Sequence, residues 1–148
     1  MADFIAIQQL LNRYCFAHDS QDPVALAKTF AKNAELMGIT GRDEIAARYG
    51  EGYKHLSKRR RHTLSNFILL EDGEDRAVMQ SYITLYLIEN EQITLHLTGV
   101  YRDTVVLEDG EWLIQTREAT MDVPYNPGDT TPAAAGHYTQ DDQKSSRS

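Results

Sequence analysis

At 148 residues the chain is long enough for one domain with a closed core and a buried pocket, and too short for two domains of ordinary size. Its 15 Lys and Arg stand against 22 Asp and Glu, and the formal net charge of -7 excludes a general nucleic-acid surface, which needs a basic face. A single cysteine, Cys15, excludes an intramolecular disulfide and cannot alone make a structural zinc site.

The opening Met-Ala-Asp-Phe-Ile has no basic stretch, and no run of about 18 apolar residues follows anywhere. A soluble cytoplasmic protein, neither exported nor bound to a membrane, is expected. From Ala2 to Asp19, Ile7, Leu10, Leu11, Tyr14, Cys15 and His18 recur at three and four residues, the spacing of one helix face. Asp3 fits the N-cap, and Asp19-Ser20-Gln21-Asp22 is the polar break. Asp19 therefore emerges near a helix C-terminus, where the dipole disfavours a carboxylate, so it is either solvated or held there for function. Cys15, inside the apolar pattern, reads as a small buried residue and not as a nucleophile.

Asp22-Pro23 begins a short second helix, with Asp as N-cap and Pro at the first helical position, running on through Val24 to Phe30. Ala34 to Ile39 reads as a brief strand. Gly41 to Tyr49 reads as a third helix, with Gly50 and Gly52 just past its end. Lys58-Arg59-Arg60-Arg61 follows as a solvated approach to the next strand, at whose mouth stands His62, a side chain that exchanges a proton near neutral pH.

Four strand signals occupy the rest of the domain: His62 to Leu70, Arg76 to Glu89, Gln92 to Leu107, and Glu111 to about Asp122. Asp72-Gly73, Asn90-Glu91 and Glu108-Asp109-Gly110 are the turns between them. Strands in hairpin succession form an antiparallel, twisted sheet whose inner face the helices must cover. The expected fold is α+β, a cone-shaped barrel over residues 1–123 in which a strongly curved antiparallel sheet wraps around N-terminal helices and leaves an internal pocket. From Pro124 the composition turns to Pro, Gly, Asn, Thr, Ala, Asp and Ser, which reads as a flexible tail whose Tyr125 and Tyr138 could fold over a pocket mouth or onto a partner.

Several local patterns point further. Ile7-Gln8-Gln9-Leu10, Tyr14, Asp19 and Asn33-Ala34-Glu35-Leu36 at the front, Arg61-His62 and Asn66 in the middle, and Gly99-Val100-Tyr101-Arg102-Asp103 with Gly110-Glu111-Trp112 at the end resemble one group of proteins. This is the scytalone-dehydratase and bile-acid 7α-dehydratase branch of the SnoaL-like, nuclear-transport-factor-like superfamily. The resemblance covers Ala2 to Met121. It implies an Asp/His pair acting without metal or cofactor, with Asp19 and His62 as that pair, Tyr14 as a pocket tyrosine and Arg117 as a late pocket arginine. It also brings in His96 as a second histidine and Asn66 beside the entry to the sheet.

The chemistry of the residues fits that implication, with alternatives. Eliminating water across a carbon–carbon bond needs a base, an acid or electrostatic partner for the leaving group, and a dry pocket. A carboxylate bonded to one imidazole nitrogen fixes the tautomer and raises the basicity of the other, though an Asp–His hydrogen bond can also serve only to order a helix end. Tyr14 could donate to a substrate oxygen or simply pack in the core. Arg117 alternates with Gln115 and could hold an anionic oxygen, or turn outward to Glu118 or Asp103. His96 shares a strand face with Thr94 and Thr98, either a pocket wall or the solvent side. His18 is a substitute for one member of the pair, about 100° around the helix from Asp19. No metal-ligand cluster or phosphate loop is evident. The expected function is a cofactor-independent lyase acting on a small hydrophobic oxygenated ring compound, steroid- or polyketide-like, in a dimer or trimer. A ketosteroid-type isomerase and a non-catalytic ligand-binding or assembly domain are the alternatives.

Overall fold

The structure, a computed structural model, describes residues 1–56 and 59–124. Lys58 and the stretch expected to be a tail, apart from Pro124, lie outside the described residues. The chain opens with α1 (Phe4–Asp19), whose Asp3 cap accepts a hydrogen bond from the Ala6 amide. Next comes α2 (Pro23–Ala27), capped by Asp22 through the Val24 and Ala25 amides. The second helix is shorter than its apolar composition suggests, because Phe30 already belongs to β1 (Phe30–Leu36). Met37 and Gly38, both at positive φ, turn the chain into the short β2 (Ile39–Thr40).

The third helix, α3 (Arg42–Tyr53), runs one turn past Tyr49, through both glycines expected to end it. A Cβ on Gly50 would lie 3.3 Å from the Pro23 side chain, so this glycine lets α3 lie close against α2. The longer helix places Ile45, Tyr49 and Tyr53 in one buried stripe at four-residue spacing.

Four long strands then build the sheet: β3 (Arg59–Asp72), β4 (Arg76–Glu89), β5 (Gln92–Glu108) and β6 (Glu111–Met121), in the order β2-β1-β6-β5-β4-β3. The three hairpins are antiparallel as expected, whereas β1 joins β6 in parallel, since the whole sheet lies between them in sequence. Strand β3 begins three residues before His62, so Arg59 to Arg61 form part of the sheet and not a solvated lead-in. Arg60 is 0% exposed, two residues from His62 on the same inward face.

Irregular pairing sets which side chains face inward. In β3 the register shifts between Ser65 and Ile68, with Asn66 at φ 58°, and in β5 it shifts between Leu95 and Leu97. In β6 it shifts between Ile114 and Thr116. These bulges bend the sheet around α1 and α3 and enclose a core of Ile7, Leu10, Leu11, Phe30, Ile45 and Ile114. No helix among the described residues is long and apolar enough to cross a membrane.

Candidate active site

Asp19 is the last residue of α1, which packs against β3. Because β3 is an edge strand, its residues keep outward backbone groups free of the ladder. The carboxylate uses one of them. The His62 amide donates to Asp19 Oδ2 at 2.9 Å, while His62 Nδ1 lies 2.5 Å from Asp19 Oδ1. Two bonds from one residue fix the carboxylate and, with Asp19 ionised, assign the Nδ1 proton to the imidazole. Nε2 of His62 is then left to act on whatever enters.

Burial governs the proton affinities here. It pushes the Asp19 carboxyl up to about 6, against the opposing pull of the His62 amide hydrogen bond and of nearby His18, Arg61 and Arg60. His62 is held below the ordinary imidazole range by burial first, and then by the charges of Arg60 and Arg117. At neutral pH the pair is a neutral imidazole on an ionised carboxylate.

His62 of the pair opens onto a cavity of about 170 Å³. Tyr14, His18, Tyr49, His62, Tyr101 and Arg117 form its polar and aromatic wall, and Leu36, Met37, Ile83, Leu85, Leu97 and Met121 are among its apolar lining. Tyr14 is buried, and its phenol is kept protonated by burial, with partial relief from Arg117 and a hydrogen bond with Tyr49. The guanidinium of Arg117 lies between two rings, 4.2 Å from the Tyr14 centroid and 4.0 Å from that of Tyr101.

Arg117 also donates from Nε and Nη2 to Asp103 at 2.6 and 3.0 Å. Asp103 is thus its partner, but the bridge is inside the sheet and not on the outer surface: the two side chains are 3% and 0% exposed. Burial opposes the arginine's charge, and Asp103 more than restores it, so Arg117 is a permanent cation. Its remaining nitrogen, Nη1, is buried and has no hydrogen-bond partner among the described residues. The inward direction comes from the bulge at Gln115, whose side chain bonds to the Asn33 carbonyl and which lets both Ile114 and Arg117 face the interior.

His18 is 1% exposed and belongs to the same site. Its Nδ1 is 2.8 Å from the Tyr53 hydroxyl, and its ring lies 4.6 Å from that of His62, centroid to centroid, at 33°. It therefore stacks on the Asp19–His62 pair and does not replace either member. Arg60, Tyr49, Tyr53, Tyr101 and Asp103 complete the surroundings. Sequence reasoning passed over Arg60 and Tyr53, although period two backward from His62 and period four onward from Tyr49 point to them.

His96 and Asn66 stand elsewhere. His96 is the extra residue of the β5 bulge, so Thr94 pairs with inward Leu87 and Thr98 with outward Thr84, and the three do not share one face. For the same reason Leu95 is exposed while Leu97 is buried. Asn66 is exposed and takes the left-handed conformation of a bulge, which asparagine tolerates. Neither lines the cavity. Among the described residues no three His, Cys, Asp or Glu side chains are grouped to hold a metal ion.

Among the described residues, a six-stranded sheet curled over three helices, with a polar pair at the helix end and a cavity beside it, defines the cystatin-like, nuclear-transport-factor-like class. The chain belongs to the SnoaL-like domain family, whose model matches residues 1–118. Among solved structures it is similar to Rv3472 from Mycobacterium tuberculosis, a protein of unknown function determined as an asparagine-for-aspartate variant. That match has 27% identity over 90% of this chain and 84% of the other, with a TM-score of 0.73. A Novosphingobium aromaticivorans protein whose name proposes a scytalone dehydratase is 28% identical, over 80% of this chain and 83% of its own, at a TM-score of 0.68. A protein of unknown function with a cystatin-like fold from Nostoc punctiforme is 25% identical, over 81% and 91%, at 0.70. No curated protein matches the chain.

Proposed function

We propose that this protein is a cofactor-independent lyase of the dehydratase kind, acting on a small hydrophobic ring compound that carries a carbonyl and a β-hydroxyl. The observation that carries the reading is the Asp19–His62 pair, bonded at 2.5 Å, whose histidine lines a cavity that also holds a buried arginine with a nitrogen unpartnered among the described residues. His62 Nε2 takes the proton α to the carbonyl. Asp19 holds the imidazole in its productive tautomer and stabilises the imidazolium as it forms. Tyr14 and Arg117 donate to the carbonyl oxygen as it becomes an enolate, in a site where low polarity strengthens each interaction. The enolate then expels the β-hydroxyl, His62 returns its proton to it, and water leaves with formation of the carbon–carbon double bond. The likeness to the Novosphingobium protein supports the same reaction class.

The test is product mass. A cyclic β-hydroxyketone incubated with the protein is expected to lose one water, and His62→Ala is expected to lower that rate by about 10²–10⁴ while circular dichroism stays unchanged. A product of unchanged mass identifies an isomerase working through the same proton abstraction. Activity equal in His62→Ala and the wild type sinks the pair as the catalytic base, and ligand binding without turnover identifies a binding domain.

A further inference from the structure

The cavity has a polar end, described above, and an apolar end whose wall is shared with a second space. Ala119 and Met121 line both the cavity and a more open groove of about 400 Å³ bordered by Asp122, Val123 and Pro124. Ala119 contributes only a methyl group. Met121 is thus the side chain that divides the two spaces.

Its position depends on the residue across the ladder. Met121 pairs with Gly99, and a Cβ added at Gly99 would fall 2.8 Å from the Met121 sulfur and 2.6 Å from the Thr120 carbonyl oxygen. Only glycine lets the methionine lie this close to the floor of the sheet. Methionine is unbranched, so it fills such a gap without a fixed shape of its own. A cavity of about 150 Å³ accommodates one benzene ring, and the cavity here is about 170 Å³.

Resting on the ring-compound reading of the site, we propose that Met121 is a specificity-determining residue that limits the ligand to one enclosed ring, with a second ring packed on the thioether. With Met121 in place the cavity ends at its side chain. With the side chain removed, cavity and groove join and a longer fused-ring ligand fits. Met37 also lines the cavity but not the groove, so it does not set this limit.

The experiment is a fluorescence titration with two phenols, 2-naphthol with two fused rings and 1-pyrenol with four, so that binding is read without turnover. The wild type is expected to prefer 2-naphthol by about tenfold or more in Kd, and Met121→Ala to erase that preference by about the same factor. Met121→Leu, close in volume, keeps the preference, and Met37→Ala leaves it within about twofold. A wild type that binds both phenols equally, or a ratio that Met121→Ala does not move, overturns the role of Met121 and leaves the ring-compound reading standing. A wild type that binds neither phenol overturns both.

Discussion

Two carboxylates stand beside this cavity, each bonded to a basic side chain, and burial tells differently on the two partners: Arg117 keeps its charge, while His62 is pushed toward its neutral form. Asp103 sits mid-sheet beside an arginine whose charge it secures against burial, so the arginine stays protonated. Asp19 sits at a helix end beside a histidine, where burial raises the carboxyl and lowers the imidazole, driving each toward its neutral form. The first pair holds charge in place and the second can pass a proton. Both are buried, so burial alone does not distinguish a structural pair from a reactive one. What separates them is whether the base can give up its proton.

The sharpest way to break the comparison is Asp19→Asn, which keeps the shape and removes the carboxylate. The asparagine amide favours the wrong tautomer of His62, and kcat/KM is expected to fall by about 10³–10⁴. Stability moves the other way. A carboxyl raised from 3.8 to about 6 contributes stability that is full below pH 3.8 and lost as pH rises through 6, so at pH 7 the ionised Asp19 is a burden on folding. The urea midpoint of Asp19→Asn at pH 7 is therefore expected to exceed that of the wild type. A lower midpoint contradicts this account of Asp19.

The other pair responds with folding. Arg117→Met leaves Asp103 buried without its cation and is expected to cost about 3–5 kcal/mol in urea unfolding, whereas joining it to Asp103→Leu recovers most of that loss. If the single variant is as stable as the wild type, Asp103 and Arg117 are not the fixed pair described. The smallest effect is in pH dependence. Below about pH 6 the Asp19–His62 pair takes up a proton, and kcat/KM is expected to fall by about tenfold per pH unit. The titrating group belongs to the pair as a whole, and Asp19→Asn is expected to remove this inflection from the residual activity.

Much of the site was legible in the sequence because it lies on regular structure. The helix period from Ile7 to His18 placed Tyr14 on the core face and Asp19 at the helix end, and the Asp3 and Asp22 caps formed as their residue types require. Arg60 was hidden because three successive arginines look like a solvated run, and only the pairing of Arg60 with Leu87 reveals a strand. Tyr53 was hidden because Gly50 reads as a helix end, and the Pro23 contact that calls for a glycine there is a tertiary fact. His96 was misplaced because period-two reasoning carries no term for an extra residue.

The same extra residues bear on how relatives are compared. Gln115 and His96 each shift every later side chain of their strand to the other face. At 27% identity a gap set one position to the wrong side of Gln115 would match Arg117 with a neighbour's outward residue, and the site would look absent from a protein that has it. Alignments in this family are therefore best anchored on ladder partners such as Asp103 with Arg117, and not on runs of matching letters.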